Sequence, residues 1–326
     1  MSILVIGRED VRRHLGYGQC IPLIAEAMIA LSQGRTRQLL RGIVDLEEGR
    51  AFGVMPGAMG TDAPFGAKLV SVYPGNFALG RQSHQGMVAI FDPASGAPVA
   101  ILHAGEITAI RTAAASAVAT DALARPDARR MAVLGYGEQA AAHIEAIAEV
   151  RALERVTLWG RSAGRARALA DRLGARPGPR IAVAASVAEA VEDADIICTT
   201  TAAAAPILMG EQVPAGCHVN LVGSSRAGPA EADEALVARA RFFADHRDSV
   251  LKQGAEFLNA KAAGLIGDDH VLGEIGQVLD GSLPGRLSAG DVTVYKSLGS
   301  IVQDIACGWF LYAKARDEGF GGIVPF

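Results

Sequence analysis

The stretch Arg130-Met-Ala-Val-Leu-Gly135-Tyr-Gly137-Glu138-Gln139-Ala140 joins an apolar run to a helical one through a G-x-G-x-x-A turn. Each small residue has a physical task if a dinucleotide binds there. Gly135 permits the tight turn, Gly137 lets the backbone approach a pyrophosphate, and Ala140 lets the helix pack near the strand. The N–H groups and partial positive charge of the helix start then face the phosphates. The pattern alone is common; its strand-turn-helix context makes it a dinucleotide site. The next strand ends at Trp159-Gly160-Arg161-Ser162. An NAD site usually carries Asp or Glu there, to accept the ribose hydroxyls. This chain has Arg161, with Ser162 and Arg165 close by. A guanidinium there suits a 2′-phosphate, so NADP(H) is expected in preference to NAD(H), with NAD(H) still usable. The other reading of these arginines is a solvated helix start.

Three cations precede that turn in apolar or glycine-rich surroundings. Arg41 follows Leu39-Leu40, Lys68 lies in Gly66-Ala-Lys-Leu-Val70, and Arg111 lies in Ile107-Thr-Ala-Ile-Arg-Thr-Ala-Ala-Ala115. A charge inside a strand needs a partner or an anionic ligand. Arg111 reads as preceding an Ala-rich helix, where the helix dipole disfavours a cation unless an anion is present. Together the three would clamp a small carboxylate; singly, each reads as a snorkelling surface side chain. The seven histidines have no metal-like spacing, so no metal is expected. His84, in Ser83-His84-Gln85-Gly86, stands among small polar residues. His14, His103, His143, His218, His246 and His270 read as structural or surface groups. Glu231 and Asp233, after Pro229, read as helix caps.

Two textures surround these groups. Residues 2–6 read as a strand, Asp10 as the cap of a short helix, and 19–33 as a helix. Leu40–Leu46, Ala51–Met55, Gly66–Tyr73, Gly86–Phe91 and Val99–His103 read as strands, with a hairpin at Asp92-Pro-Ala-Ser-Gly96. From Ile107 to Ala124 the chain is Ala-rich and helical. Strand and helix then alternate, with strands at 131–135, 155–160, 181–184, 196–200, 219–223 and 241–244. That alternation argues for a parallel sheet covered on both faces. Val292–Asp317 reads as one long helix returning to the first domain. The expected architecture is α/β: a Rossmann-type doubly wound parallel sheet, residues 114–296, inserted in a split α+β domain, residues 1–113 plus 297–326.

Length and composition agree with two globular domains, since the chain has 326 residues, half apolar and a fifth charged. A net charge of −4 gives no reason to expect a nucleic-acid or membrane partner. Cys20, Cys198, Cys217 and Cys307 are widely spaced in sequence and read as buried thiols of a reducing compartment. The first residues are charged too soon for a signal peptide, and no run of about 18 uncharged apolar residues exists. A cytoplasmic location is expected.

With these residues in view, the chain resembles the ornithine cyclodeaminase/mu-crystallin family over nearly its whole length. The resemblance is carried by Gly53-Val-Met-Pro56, Lys68, Ser83-His84-Gln85, Ile107-Thr-x-x-Arg111-Thr-Ala-Ala114 and the Gly135 turn. It continues through Asn220-x-Val-Gly223-Ser-Ser-Arg226, Gly273-Glu274-x-Gly276 and Thr293-Val-Tyr-Lys-Ser297-Leu-Gly299. It implies a homodimer whose split domain binds substrate and dimerises. Arg41, Lys68 and Arg111 match carboxylate-binding positions, and Arg226 is grouped with them. Ser83, His84, Gly137, Gln139, Arg161, Ser162 and Ser297 match cofactor contacts, to which Arg111, Gly135, Glu138, Ala140, Arg165, Thr200 and Val222 are added. Cyclodeaminases of the family carry an aspartate where this chain has Ser225, and a serine cannot deprotonate an ammonium near neutral pH without a neighbouring base. The Ser-Arg version resembles mu-crystallin and the bacterial Δ1-pyrroline-2-carboxylate reductases. The implied reaction is NAD(P)H-dependent reduction of a cyclic ketimine carboxylate, with five- or six-membered ring, to proline or pipecolate. Lys68, Arg111, His84 and Ser225 are the expected catalytic residues. Solvent, His84 and a pair involving Ser225 stay open as the proton source. Alternatives are a linear amino- or imino-acid dehydrogenase such as alanine dehydrogenase, an ornithine or lysine cyclodeaminase, and a non-enzymatic NADPH-binding protein.

Overall fold

The computed structural model describes residues 2–326, apart from the side chains of residues 77 and 78, so Met1 of the N-terminal reading lies outside the described residues. Two units are distinguished by their internal contacts: Met1–Arg111 with Ser300–Phe326, and Thr112–Gly299. Expected boundaries at 113/114 and 296/297 thus compare with 111/112 and 299/300.

The first unit is built on a mixed sheet. Its strands are β1 (Ser2–Ile6), β2 (Arg37–Gln38), β3 (Gly42–Asp45), β4 (Ala51–Ala58), β5 (Phe65–Val72), β6 (His84–Phe91), β7 (Pro98–His103) and, near the end of the chain, β16 (Gly322–Pro325). The order is β16-β1-β7-β6-β5-β4-β2, with β3 also paired to β4. Only β1 and β7 run parallel; the other pairs are antiparallel. Along β5, Gly66, Lys68 and Val70 share the buried face, and Lys68 sits between Met55 of β4 and Val88 of β6, both buried. A lysine therefore occupies a core position, and its ammonium must find partners there.

Helices cover that sheet. α1 (Arg8–His14) and α2 (Tyr17–Ser32) follow β1, and α11 (Ile301–Glu318) packs on β4, β5, β6 and α2. In α2 the buried positions Cys20, Ile24, Met28 and Leu31 recur at helical spacing. Each fully buried Ile or Met there contributes about 1.5–3 kcal/mol. Asp10 is not a cap: Gly7 holds that position, and Asp10 lies in the first turn, where its charge complements the helix start. The Sγ atoms of Cys20 and Cys307, distant in sequence, come within 3.7 Å on α2 and α11 as buried thiols.

α3 (Ala104–Leu123) carries the chain onward. It starts before the expected Ile107, so Arg111 is its eighth residue and does not precede it. The expected placement of Arg111 ahead of a helix start is therefore wrong; its environment comes from neighbouring side chains.

The second unit holds an all-parallel sheet of β8 (Arg130–Leu134), β9 (Arg155–Trp159), β10 (Arg180–Val183), β11 (Ile196–Thr199), β12 (His218–Leu221), β13 (Arg241–Ala244), β14 (Val271–Glu274) and β15 (Thr293–Lys296). The order β10-β9-β8-β11-β12-β15-β13-β14 reverses direction of travel between β8 and β11. Such a reversal is where doubly wound sheets bind ligands, at the carboxyl ends of the strands. α4 (Glu138–Ala148), α5 (Ala163–Gly174), α6 (Val187–Val191), α7 (Glu234–Arg239), α8 (Arg247–Gln253), α9 (Ala255–Ala262) and α10 (Ile275–Leu279) complete the unit. β15 corrects the reading of 292–317 as one helix. Thr293–Lys296 are fully buried between β12 and β13. Gly299, at φ +84°, breaks the path, and Ser300 caps α11 by accepting from Val302 N. Among the described residues no single helix is long and apolar enough to cross a membrane.

Candidate active site

In the first unit, Lys68 Nζ donates to Thr108 Oγ1 at 2.6 Å and to Asp304 Oδ1 at 3.0 Å. Arg111 Nε donates to the same Asp304 oxygen at 3.2 Å, and Arg111 Nη1 to Gln303 Oε1 at 2.8 Å. Lys68, Arg111, Gln303 and Asp304 are all buried. Arg41 belongs to the same electrostatic cluster, acting on Lys68 and on His84. It lies between β2 and β3, not inside a strand as expected. Lys68 and Arg111 share the Asp304 carboxylate, so this buried group has one positive charge in excess when Lys68 is protonated, and Arg41 adds repulsion at Lys68. An anion would offset that excess.

The protonation states follow from burial and neighbours. Burial lowers Lys68 to about 8; Asp304 opposes the fall, and Arg111 and Arg41 add to it. Burial alone would raise the Asp304 carboxyl, but Arg111 and Lys68 hold it below the usual carboxylate value. His84 is lowered to about 4 by desolvation and by repulsion from Lys68, Arg41 and Arg111. Its residue surface is exposed, which limits the desolvation share and leaves the three cations as the firmer cause. Its Nδ1 lies 3.0 Å from Ser83 Oγ.

In the second unit, the Gly135 turn has the geometry a dinucleotide needs. Gly135 has φ +136°, and a Cβ there would lie 2.8 Å from Thr200 O and closer still to Thr200 Oγ1. Gly137 caps α4, and a Cβ on it would meet nothing within 4 Å. Gln139 Oε1 and Ser297 Oγ are buried without a hydrogen-bond partner. Ala140 is buried and Glu138 exposed at the start of α4. An open glycine cradle, a helix start and orphaned polar atoms fit a bound dinucleotide. Arg161 and Arg165 are exposed after β9, while Ser162 caps α5 by accepting from Arg165 N. Val222 is buried, and Ser225 and Arg226 lie on the loop after β12, where Arg226 is exposed.

Glu231 corrects the reading of that residue as a helix cap. It is fully buried and accepts from Thr199 Oγ1 at 2.6 Å, Thr201 N at 2.6 Å, Thr201 Oγ1 at 2.7 Å and Gly223 N at 2.6 Å. It ties the ends of β11 and β12 together. Asp233 does cap α7, accepting from Leu236 N. Sequence reasoning also missed Asp304, Gln303 and Thr108. The one available signal was a charge inside the apolar run Ile301-Val-Gln-Asp304-Ile-Ala-Cys307.

The model of the ornithine cyclodeaminase/mu-crystallin family matches residues 2–319. The chain is 35% identical over 312 residues to ketimine reductase mu-crystallin of Mus musculus, covering 94% of this chain and 96% of that one. It is 34% identical over 328 residues to a Δ1-pyrroline-2-carboxylate reductase of Bacillus cereus, covering 99% and 100%. Its fold is similar to that of Thermococcus litoralis Δ1-pyrroline-2-carboxylate reductase solved in complex with NADH and L-proline. That match has a TM-score of 0.95 at 29% identity, covering 98% of this chain and 99% of that one. The chain belongs to the ornithine cyclodeaminase/mu-crystallin family.

Proposed function

We propose that the chain is an oxidoreductase that reduces the C=N bond of a cyclic ketimine carboxylate, Δ1-pyrroline-2-carboxylate or its six-membered homologue, to proline or pipecolate. The observation that carries this is the buried excess of positive charge formed by Lys68 and Arg111 around Asp304, with Arg41 acting on Lys68. A carboxylate offsets that excess, and a planar anion held by guanidinium and ammonium donors is fixed in orientation. A reduced dinucleotide held at the Gly135 turn would supply the hydride for the carbon of the C=N bond, while the nitrogen gains a proton. Of the proton sources, His84 is disfavoured: it is neutral above about pH 4 and carries no stored proton near neutrality. Solvent and a pair involving Ser225 remain as sources.

The family's cyclodeaminase chemistry needs a base that Ser225 does not provide, which argues for reduction. NADP(H) is the proposed cofactor over NAD(H), supported by exposed Arg161 and the lack of a carboxylate after β9. A homodimer is proposed from the exposed apolar side chains on and around β3.

The test is turnover. Purified protein should oxidise NADPH in the presence of Δ1-pyrroline-2-carboxylate or Δ1-piperideine-2-carboxylate, with proline or pipecolate as product. Lack of turnover with both rings overturns the proposal.

A further inference from the structure

We propose that Asp304 is a positioning residue for this reduction: its Oδ1, shared by Lys68 Nζ at 3.0 Å and Arg111 Nε at 3.2 Å, fixes both cations and keeps Lys68 an ammonium ready for the substrate carboxylate. The inference rests on the function proposed above.

Asp304 is fully buried, and through its Oδ1 it acts on the two cations it holds. It lies in the first turn of α11, where the helix start favours a negative charge. Its geometry is economical. One oxygen serves two cations, Thr108 takes a second proton of Lys68, and Gln303 takes one arm of Arg111. Both cations are thereby held while keeping further N–H groups for a ligand.

β5 supplies Lys68, α3 supplies Thr108 and Arg111, and α11 supplies Gln303 and Cys307, with Cys20 of α2 against Cys307; Arg41, after β2, acts on Lys68, and His84 of β6 feels the same cations. His84 is neutral above about pH 4, and the Cys307 thiol is pushed up by its contact with Cys20 and by burial. Lys68 is left as the group of this cluster that titrates near neutral pH. Without the Asp304 charge, the Lys68 ammonium would lose the carboxylate that opposes its burial and the repulsion from Arg111 and Arg41, and it would release its proton more readily.

The chain has five lysines, so lysine-selective carbon-13 labelling gives a readable nuclear magnetic resonance titration. The Lys68 signal is identified by its loss in Lys68→Arg. Wild-type Lys68 should titrate near pH 8, and Asp304→Asn should lower that midpoint by about one pH unit or more. Asp304→Glu should fall between the two, and it carries the test if the Asn variant does not fold. In parallel, binding of pyrrole-2-carboxylate at pH 8 should weaken about tenfold in Asp304→Asn, with the gap closing towards pH 6. An unchanged Lys68 midpoint, or an equal loss of affinity at both pH values, overturns the proposal. The titration needs no substrate, so failure to reduce either ketimine would refute the function and leave this reading of Asp304 separately measurable.

Discussion

Lys296 Nζ lies 2.6 Å from Glu256 Oε2, and neither side chain reaches solvent. The same ammonium donates to Ser224 O at 2.8 Å, and the other Glu256 oxygen accepts Glu231 N at 3.0 Å. Because Glu231 also holds Gly223 N, the end of β15 and the loop carrying Ser225 are fastened to one buried network. Removing one partner of a buried ion pair strands the other charge and costs about 3–5 kcal/mol. Lys296→Met should therefore lower the thermal midpoint by roughly 10 °C for a unit of this size. Lys296→Met combined with Glu256→Gln should recover much of the loss, because no bare charge is left. Calorimetry on the three proteins decides it; a Lys296→Met variant as stable as wild type would show that the pair contributes nothing.

Two buried histidines make the second unit sensitive to acid. His143 Nδ1 lies 2.7 Å from Gln139 O and therefore carries the proton, while Nε2, 2.9 Å from Ser116 Oγ, accepts. His218 sits between Thr293 Oγ1 at 3.0 Å and Asn220 Oδ1 at 3.2 Å. Burial lowers His143 to about 4 and His218 to about 3, with Arg286 adding to the fall at His218. Both are bases whose folded pKa lies below the unfolded value. Above about pH 6.5 neither state is protonated and stability is complete. As pH falls from there towards 4 and 3, the unfolded chain takes up protons that the folded one refuses, and stability drops by about 1.4 kcal/mol per pH unit for each histidine. Urea unfolding followed from pH 7 to pH 4 should show that slope, and His143→Gln should reduce it. A slope unchanged by the substitution would assign the acid sensitivity elsewhere.

What could be read in advance was local. The demands on Gly135, Gly137 and Ala140 involve neighbours a few residues away, so the turn and its strand-helix setting are visible in the chain itself. Lys68 and Arg111 could be suspected because their surroundings are apolar. Their counterion could not, because Asp304 is 236 positions from Lys68 and meets it only when α11 packs on β5. The same limit explains β15. Val292–Lys296 is an apolar run continuous with the helical pattern after it, and only insertion between β12 and β13 makes it a strand. Glu231 reads as a cap in the bare sequence because its four donors arrive from the ends of other elements.

The proposed cofactor preference turns on Arg161. A guanidinium bonded to a phosphate contributes about 1.5–3 kcal/mol, and NADH has no phosphate at that position. Arg161→Ala should weaken NADPH binding at least about tenfold and leave NADH binding nearly unchanged. Titration of each reduced cofactor by its fluorescence reads this directly. Equal losses for both cofactors, or no loss for either, would remove Arg161 from the 2′-phosphate role.

The proposed dimer rests on apolar surface around β3. Leu39, Ile43, Val44 and Leu46 are 71%, 44%, 56% and 37% exposed within eight residues. Exposed apolar side chains grouped in this way are typical of surfaces that bind a partner. Light scattering after size exclusion should give twice the 33.8 kDa of one chain. Val44→Asp places a charge in that surface and should return the mass to a single chain. Because Val44 is exposed, the substitution should change the stability of the separated chain by no more than about 0.5 kcal/mol. A wild-type mass of one chain would refute the dimer, and a Val44→Asp protein that keeps the double mass would move the interface away from β3.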